Sequence, residues 1–155
     1  MILGAPIEPL TAEAVIRLLG LARHPEGGFY TQTWRDQPPG GGRGSGTAIY
    51  YLLPGDEISA WHRVDAAEIW HWYAGSALDL SISRDGAAVE TNRLGNRLRE
   101  GERPQVLVPP HAWQSARSLG EWTLVGCTVS PAFEFAHFEM APAGWAPQPI
   151  RDSTR

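Results

Sequence analysis

Hydrophobic and polar residues alternate along most of this chain with the two-residue period of a β-strand. The clearest case is a strand on which Leu78, Leu80 and Ile82 share one face, followed by a turn at Asp85-Gly86. Similar patterns predict the other strands at 29–35, 48–53, 60–64, 68–73, 89–94, 105–108, 113–118, 122–130 and 133–140. Roughly nine or ten short strands with frequent turn signals indicate an all-β sandwich or barrel.

One stretch has a helical period instead. Residues 11–22 begin with Thr11, a good N-cap, carry Glu13 in the first turn and place their apolar residues on one face. A helix of about three turns is too short to be stable alone, so it must pack on the strands.

The remaining segments complete a single predicted domain over residues 1–155. A loop rich in glycine and proline occupies 38–46, and a polar turn occupies 99–103. We expect a helix at about 11–22, a barrel at about 28–140 and a loose proline-rich tail at 142–155.

Composition argues against nucleic acid and membrane partners. A net charge of −4 and an isoelectric point near 5.7 provide no basic footprint for nucleic acid or anionic lipid. No apolar run approaches the roughly 20 residues that cross a bilayer, and the first residues lack the pattern of a secretory signal. The single cysteine, Cys127, cannot form an internal disulfide, so we expect a cytoplasmic protein.

All 13 basic residues are arginines. The absence of lysine excludes Schiff-base catalysis, a lysine general base and a P-loop lysine.

The candidate active site lies in residues 55–75. Two predicted strands are joined there by a polar turn at 63–67, with His62 just before it and Glu68 just after it. Antiparallel neighbours would bring the two side chains together on one face. A carboxylate that holds one imidazole nitrogen raises the basicity of the ring, so we predict His62 as a general base oriented by Glu68. The alternative is a structural histidine and a buried structural acid.

This stretch resembles the first motif of the cupins, which is Gly, five residues, His-x-His, three or four residues, Glu, six residues, Gly. Gly55, Glu68 and Gly75 fall on that spacing. In the second cupin motif, Pro-x-Gly followed by two residues and a histidine, His111 replaces the glycine and Gln114 replaces the metal-binding histidine.

The whole chain resembles, more specifically, a small cupin-like family with an N-terminal HPEGG motif, the cupin five group. The matching segments lie at 24–30, 48–53, 62–64, 68–71, 113–114 and 125–133. The resemblance implies an all-β double-stranded β-helix (a jelly-roll barrel) with one short N-terminal α-helix. It also implies a homodimer and a pocket in the barrel mouth, but no settled activity.

A metal site is not expected. Cupins that bind iron, manganese or zinc use three histidines and one glutamate, and here at most one motif histidine survives. If a divalent metal binds, its ligands would be His62, Glu68 and Gln114, with His71 as a further candidate. By strand parity, however, His71 should point to the other face from Glu68.

Aromatic and polar residues near these motifs are candidates for binding a small molecule. Four tryptophans cluster in or near the motifs and can form either core or a flat-walled pocket. The candidate substrate-binding residues are Tyr30, Arg35, Tyr50, Trp61, Trp70, Trp72, Trp113 and Gln114. Cys127, in an apolar strand, is expected to be an inert buried thiol.

The leading hypothesis is a small-molecule enzyme that performs metal-independent acid–base chemistry, such as an epimerase, isomerase or cyclase. Residues 26–35 are similar to a strand of the dTDP-keto-deoxyhexose epimerases, and His62 falls where those enzymes place their base. They also use a lysine, which this chain lacks, so a nucleotide-sugar substrate is not expected. The alternatives are a ligand-binding cupin without catalysis and a metal-dependent oxygenase or isomerase.

Overall fold

The computed structural model describes residues 9–149. The predicted domain also includes residues 1–8 and 150–155, which lie outside the described residues. The helix α1 is followed by eleven strands, and two short 3₁₀ turns lie at Leu98–Glu100 and Phe135–His137. The bounds are α1 Ala12–Leu19, β1 Ala22–Arg23, β2 Phe29–Arg35, β3 Thr47–Pro54, β4 Ile58–Val64, β5 Ala67–Gly75, β6 Leu78–Ser83, β7 Glu90–Leu94, β8 Gln105–Val108, β9 Trp113–Ser118, β10 Trp122–Ser130 and β11 Phe138–Met140.

The strands form two sheets whose pairings are all antiparallel. One sheet has the order β1-β2-β3-β10-β5-β8, and the other has the order β11-β4-β9-β6-β7. This mostly β architecture with one helix confirms the predicted class. No helix within residues 9–149 is long and apolar enough to cross a membrane.

The helix α1 is shorter than predicted. Thr11 is its N-cap, and the Thr11 hydroxyl accepts a hydrogen bond from Ala14 N at 3.1 Å. Gly20 then ends the helix in the left-handed conformation, with φ of 67°. The predicted continuation to residue 22 is therefore wrong, because the chain turns at this glycine C-cap and enters β1.

The strands on either side of the 63–67 turn do not pair with each other, which corrects the expectation of a hairpin. β4 lies between β11 and β9 in one sheet, whereas β5 lies between β10 and β8 in the other. Both edges of each strand are thus occupied by other strands. The turn carries the chain from one sheet to the other, so side chains of β4 and β5 meet across the interior.

Most of the core lies between the two sheets, where alternate residues of the strands face inward. A second, smaller core lies under α1 on the outer face of the six-stranded sheet, around Val15, Leu21 and Leu52. The buried members of the main core are Tyr51, Leu53, Trp70, Leu78, Leu80, Ile82, Leu94, Val108, Ala112, Ala116, Val125 and Cys127.

The segment after β10 also differs from its prediction. Residues 133–140 were expected to form one strand, but a 3₁₀ turn at Phe135–His137 precedes the short strand β11. The ring of Trp145 then packs on Trp61 and Trp113, with ring centroids 6.1 and 4.6 Å apart. The tail up to residue 149 is therefore placed against the outside of the five-stranded sheet.

The HPEGG segment forms a tight turn that enters β2. His24 N donates to Gly28 O at 2.9 Å, and Gly27 N donates to His24 O at 3.0 Å. Ala60 N donates to Glu26 O at 2.8 Å, and Tyr51 OH donates to Gly27 O at 2.5 Å. These contacts fix the backbone of Glu26 against β3 and β4.

Gly28 is the position where this turn depends most on glycine. Its φ is 76°, and a Cβ there would lie 2.7 Å from Leu52 O. We predict that Gly28→Ala costs about 1–2 kcal/mol from the left-handed conformation and a further 1–3 kcal/mol from overpacking. Gly40→Ala is the matched control, because Gly40 has φ of 92° but no neighbour within 4 Å of its Cβ position.

Urea unfolding of both variants measures the difference. Equal losses of stability would contradict the close packing described for the HPEGG turn.

Candidate functional site

His62 lies on the inner face of β4 and has both ring nitrogens engaged. Only 3% of its side chain is exposed. Nδ1 lies 2.7 Å from Ala60 O, and Nε2 lies 2.7 Å from Glu26 Oε2. A carbonyl and an ionised carboxylate only accept hydrogen bonds, so both nitrogens must donate. His62 is therefore an imidazolium, paired with the Glu26 carboxylate.

The pKa values of the pair agree with this assignment. Burial works to lower the pKa of His62, but the charge and hydrogen bond of Glu26 override it and raise the pKa to about 9. Burial likewise works to raise the pKa of Glu26, yet His62 brings it below its ordinary value. The two groups form a buried ion pair at neutral pH.

The partner of His62 is thus Glu26, and not Glu68 as the sequence suggested. With both nitrogens donating, His62 has no free lone pair with which to take a proton in this arrangement. No role was predicted for Glu26 from the sequence. The sequence did contain one signal for a role of Glu26. It is a charged residue between a proline and two glycines, in a segment without a helical or strand pattern.

Glu68 lies on the inner face of β5 and is 7% exposed. Its Oε1 accepts a hydrogen bond from Trp70 Nε1 at 3.2 Å. Burial raises the pKa of Glu68 to about 7; the His62 charge opposes this shift, and the Glu26 charge adds to it. At neutral pH this carboxyl group is present in both protonation states.

Gln114 lies behind Glu68 and is fully buried. It is the cross-strand neighbour of His62, and its Oε1 accepts a hydrogen bond from Trp70 Nε1 at 2.8 Å. Trp70 therefore links the Gln114 amide to the Glu68 carboxyl group. Among residues 9–149 the Gln114 Nε2 atom has no hydrogen-bond partner.

A cavity of about 220 Å³ opens at Glu68, between the six-stranded sheet and the segment after β10. Phe133 and Phe135 form aromatic walls that sequence reasoning missed. The residues lining the cavity are His24, Tyr30, Gln32, Arg35, Thr47, Ile49, Glu68, Cys127, Val129, Phe133 and Phe135.

His24 is the second histidine of the site. Its Nδ1 accepts a hydrogen bond from Glu26 N at 3.1 Å, so in the neutral ring the proton is on Nε2. Burial lowers the pKa of His24, which favours this neutral form. The ring packs edge-on against Tyr30, with centroids 4.5 Å apart. His24 thus lines the cavity as a neutral ring with its proton on Nε2.

Arg35 is the cation of the cavity wall. Its Nη2 donates to Phe133 O at 2.7 Å, and its Nε donates to Gln32 Oε1 at 3.2 Å. No carboxylate in the described part of the chain lies within ion-pair distance of it.

The structure does not bring the four predicted tryptophans into one pocket. Trp70 is buried in the core, and Trp72 donates from Nε1 to Ser76 O at 3.0 Å. Trp61 and Trp113 lie on the opposite side of the other sheet, against the tail, and do not line the cavity.

Three further predicted residues have clear places. Tyr50 faces outward and packs on Tyr73, with ring centroids 6.2 Å apart, and so lies outside the cavity. His71 also faces outward, with Nε2 3.0 Å from Thr128 Oγ1, as its parity predicted. Cys127 is buried at the cavity, where burial raises the pKa of its thiol well above the ordinary value.

The donor set does not fit a cupin metal. No group of three or more His, Cys, Asp or Glu side chains within residues 9–149 is arranged to hold a metal ion. Both His62 nitrogens and Glu26 are committed to their ion pair, and Gln114 Oε1 is committed to Trp70. A metal would have to displace these contacts before any of the three could bind it.

The family described as Cupin superfamily (DUF985) matches residues 13–141, and the chain belongs to this family. A crystal structure of a protein from Shewanella oneidensis is 36% identical, covering 86% of this chain and 85% of that one, with a TM-score of 0.81. A hypothetical protein from Leishmania major is 29% identical over 88% of this chain and 90% of its own, with a TM-score of 0.79.

More distant structures share the fold alone. A dTDP sugar isomerase from Desulfovibrio desulfuricans G20 is 16% identical, covering 76% of this chain and 88% of its own, with a TM-score of 0.58. No curated protein matches the sequence significantly.

Replacement of Glu26 tests the ion pair. We predict that Glu26→Gln lowers the pKa of His62 from about 9 towards its ordinary value, because burial then acts without its main opposing charge. The ¹⁵N shifts of the imidazole nitrogens, followed through a pH titration, report this change directly.

Glu139→Gln is the control, since Glu139 is an exposed carboxylate bound to Arg63. An unchanged His62 titration in Glu26→Gln would contradict the assigned pairing.

Proposed function

We propose that this cupin is a small-molecule enzyme in which Glu68 moves a proton next to a carbonyl group, as in an isomerase or epimerase. The observation that carries the proposal is that the buried carboxyl group of Glu68 lies at a cavity and has a pKa of about 7. A catalytic acid–base group works best when its pKa is close to the working pH. Among the residues of 9–149 that line the cavity, Glu68 is the only carboxylic acid.

The proton transfer uses two groups of the cavity. The Glu68 carboxylate takes a proton from the carbon beside the carbonyl, and the electron pair moves into the carbonyl to give an enolate oxygen. His24 Nε2–H donates a hydrogen bond to that oxygen, as a neutral donor preorganised by its Nδ1 contact. The protonated Glu68 then returns the proton to carbon.

His62 has a supporting role in this scheme, which replaces its sequence-predicted role as the base. Its charge opposes the upward shift in the pKa of Glu68, whereas Glu26 adds to that shift. The ion pair thereby sets the electrostatic environment of the reacting carboxyl group. The reaction as proposed needs no metal or organic cofactor.

The HPEGG segment supplies Glu26 and His24 in this scheme, and we propose it as the functional signature of the chain. The two-sheet architecture supports a double-stranded β-helix of the jelly-roll type around the cavity.

A ligand-binding cupin without catalysis is the second candidate. Epimerisation by two bases needs an acid–base group on each side of the substrate. His24 is the other group of the cavity that could serve, but burial lowers its pKa, so that the ring stays neutral and is a poor proton donor at neutral pH. A ligand that copurifies with the protein and is not converted would favour this candidate.

We further propose a cytoplasmic homodimer that buries the outer face of the six-stranded sheet. Two rows of residues cross the strands there in register, next to the core under α1, against which Tyr50 packs, and none of them carries a charge at neutral pH. Leu107 and Trp34 are 55% and 51% exposed. Depletion of charge is typical of interface cores. The rows are Trp34, Ala48, Thr128, Ile69 and Leu107, and Thr31, Tyr50, Gly126, His71 and Gln105.

Deuterium exchange tests the proposed chemistry. We predict that the protein catalyses solvent exchange of the protons beside the carbonyl in small 2-oxo compounds, followed by NMR in heavy water. The rate should rise through pH about 7, because the carboxylate is the active form of a base and accumulates above the pKa of Glu68.

Glu68→Gln should lower the exchange rate by at least about a hundredfold, since general base catalysis contributes at least that much. The exposed Glu90→Gln on β7 should keep the normal rate. Equal rates in Glu68→Gln and the unmodified protein would refute the role of Glu68.

A single charge should disrupt the proposed dimer. We predict that Leu107→Arg gives a monomer in sedimentation velocity experiments, because the arginine would be desolvated in the interface. Leu98→Arg is the control, as Leu98 is 57% exposed on the 3₁₀ turn at Leu98–Glu100. A sedimentation coefficient unchanged by Leu107→Arg would exclude this face as the dimer interface.

A further inference from the structure

We infer that the cavity takes a small organic carboxylate, held at one end by Arg35 and at the other by Glu68. The inference rests on the proposed function for the role of Glu68, and it adds the chemical class of the ligand.

The charge of the cavity wall favours an anion. Arg35 is the cation among the lining residues, and no carboxylate in the described ranges pairs with it. A guanidinium has five N–H donors, and the contacts to Phe133 O and Gln32 use two of them. The remaining donors match the two oxygens of a carboxylate.

Strand register places Arg35 and Glu68 on one row of the inner face, with two residues between them. Arg35 is the cross-strand partner of Thr47, Thr47 is the partner of Val129, and Val129 is the partner of Glu68. Three strand spacings separate the backbones of Arg35 and Glu68 by about 14 Å. The long Arg35 side chain narrows this gap, so a ligand a few carbons long reaches both groups.

The size of the cavity and the residues on its walls further restrict the chemical class of the ligand. A volume of about 220 Å³ is smaller than the roughly 300–1,000 Å³ of pockets for drug-sized ligands. A nucleotide sugar is therefore larger than this cavity. The walls of Ile49, Val129, Phe133 and Phe135 suit an apolar chain or a single ring between the polar ends.

Matched pairs of acids and amides test this assignment. The probes are pyruvate with pyruvamide, and phenylpyruvate with phenylpyruvamide, titrated into ¹⁵N-labelled protein. We expect at least one acid to bind tenfold or more tightly than its amide, because a hydrogen bond to a charged group contributes a factor of roughly ten to a hundred.

Variants assign the preference to Arg35. Arg35→Gln should reduce the acid-to-amide ratio to within about twofold, and Arg35→Lys should restore part of it through the charge. Arg84→Gln, an exposed arginine on the surface, should keep the full ratio. The ¹⁵N spectra also report whether each variant is folded.

Three results would overturn the inference. The amides could bind as tightly as the acids, or the preference for acids could survive Arg35→Gln. The third is that none of the four compounds binds at millimolar concentration. Glu68→Gln should keep the acid preference. Binding of acids without proton exchange would refute the proposed chemistry and leave the ligand class supported.

Discussion

The ion pair between His62 and Glu26 is the interaction on which the site depends. It joins the turn before β2 to the inner face of β4, and both side chains are almost fully buried. A buried charge without a partner is strongly destabilising, so each of these residues requires the other. The pair also removes His62 from the list of available bases. Among residues 9–149 Glu68 then has no ion-pair partner, and burial raises its pKa to about 7.

The same arrangement engages residues at positions where metal-binding cupins carry metal ligands. In metal-binding cupins the inward positions of the two motifs carry imidazole and carboxylate ligands around one ion. In this chain one of those positions is an imidazolium held by Glu26, and another is Gln114, held by Trp70. The inner face of the barrel has become a hydrogen-bonded network that supports one titrating carboxyl group. Under the proposed function, Glu68 acts within this network without a metal.

Much of the fold could be predicted from the sequence, because period-two alternation reports strands directly. The strand at 29–35 and the strand at 122–130 were predicted with the observed bounds. Strand pairing was harder. Two strands joined by a short turn usually form a hairpin, but β4 and β5 enter different sheets because other strands occupy their edges. Local pattern carries no information about which edges are free.

The candidate site was predictable only in part, for a related reason. His62 and Glu68 were predicted from their positions on either side of the turn at 63–67, and both are buried in the interior. Glu26 is 36 residues before His62 in the chain, and only tertiary contacts bring its carboxylate to the ring. Phe133 and Phe135, which line the cavity, were assigned to a strand, whereas Phe133 precedes the 3₁₀ turn and Phe135 is its first residue. Long-range contacts and departures from regular structure were the two features that periodicity did not reveal.

A ¹³C NMR titration of the Glu68 side-chain carboxyl group tests the central claim most directly. The resonance is assigned by its loss in Glu68→Gln, and the shift is followed between pH 4 and pH 9 in glutamate-labelled protein. The structure predicts a midpoint near 7 for Glu68. A midpoint near 4.5, where exposed glutamates titrate, would mean that Glu68 is ionised throughout the neutral range, and it would contradict the proposed role of this carboxyl group as an acid–base catalyst tuned to neutral pH.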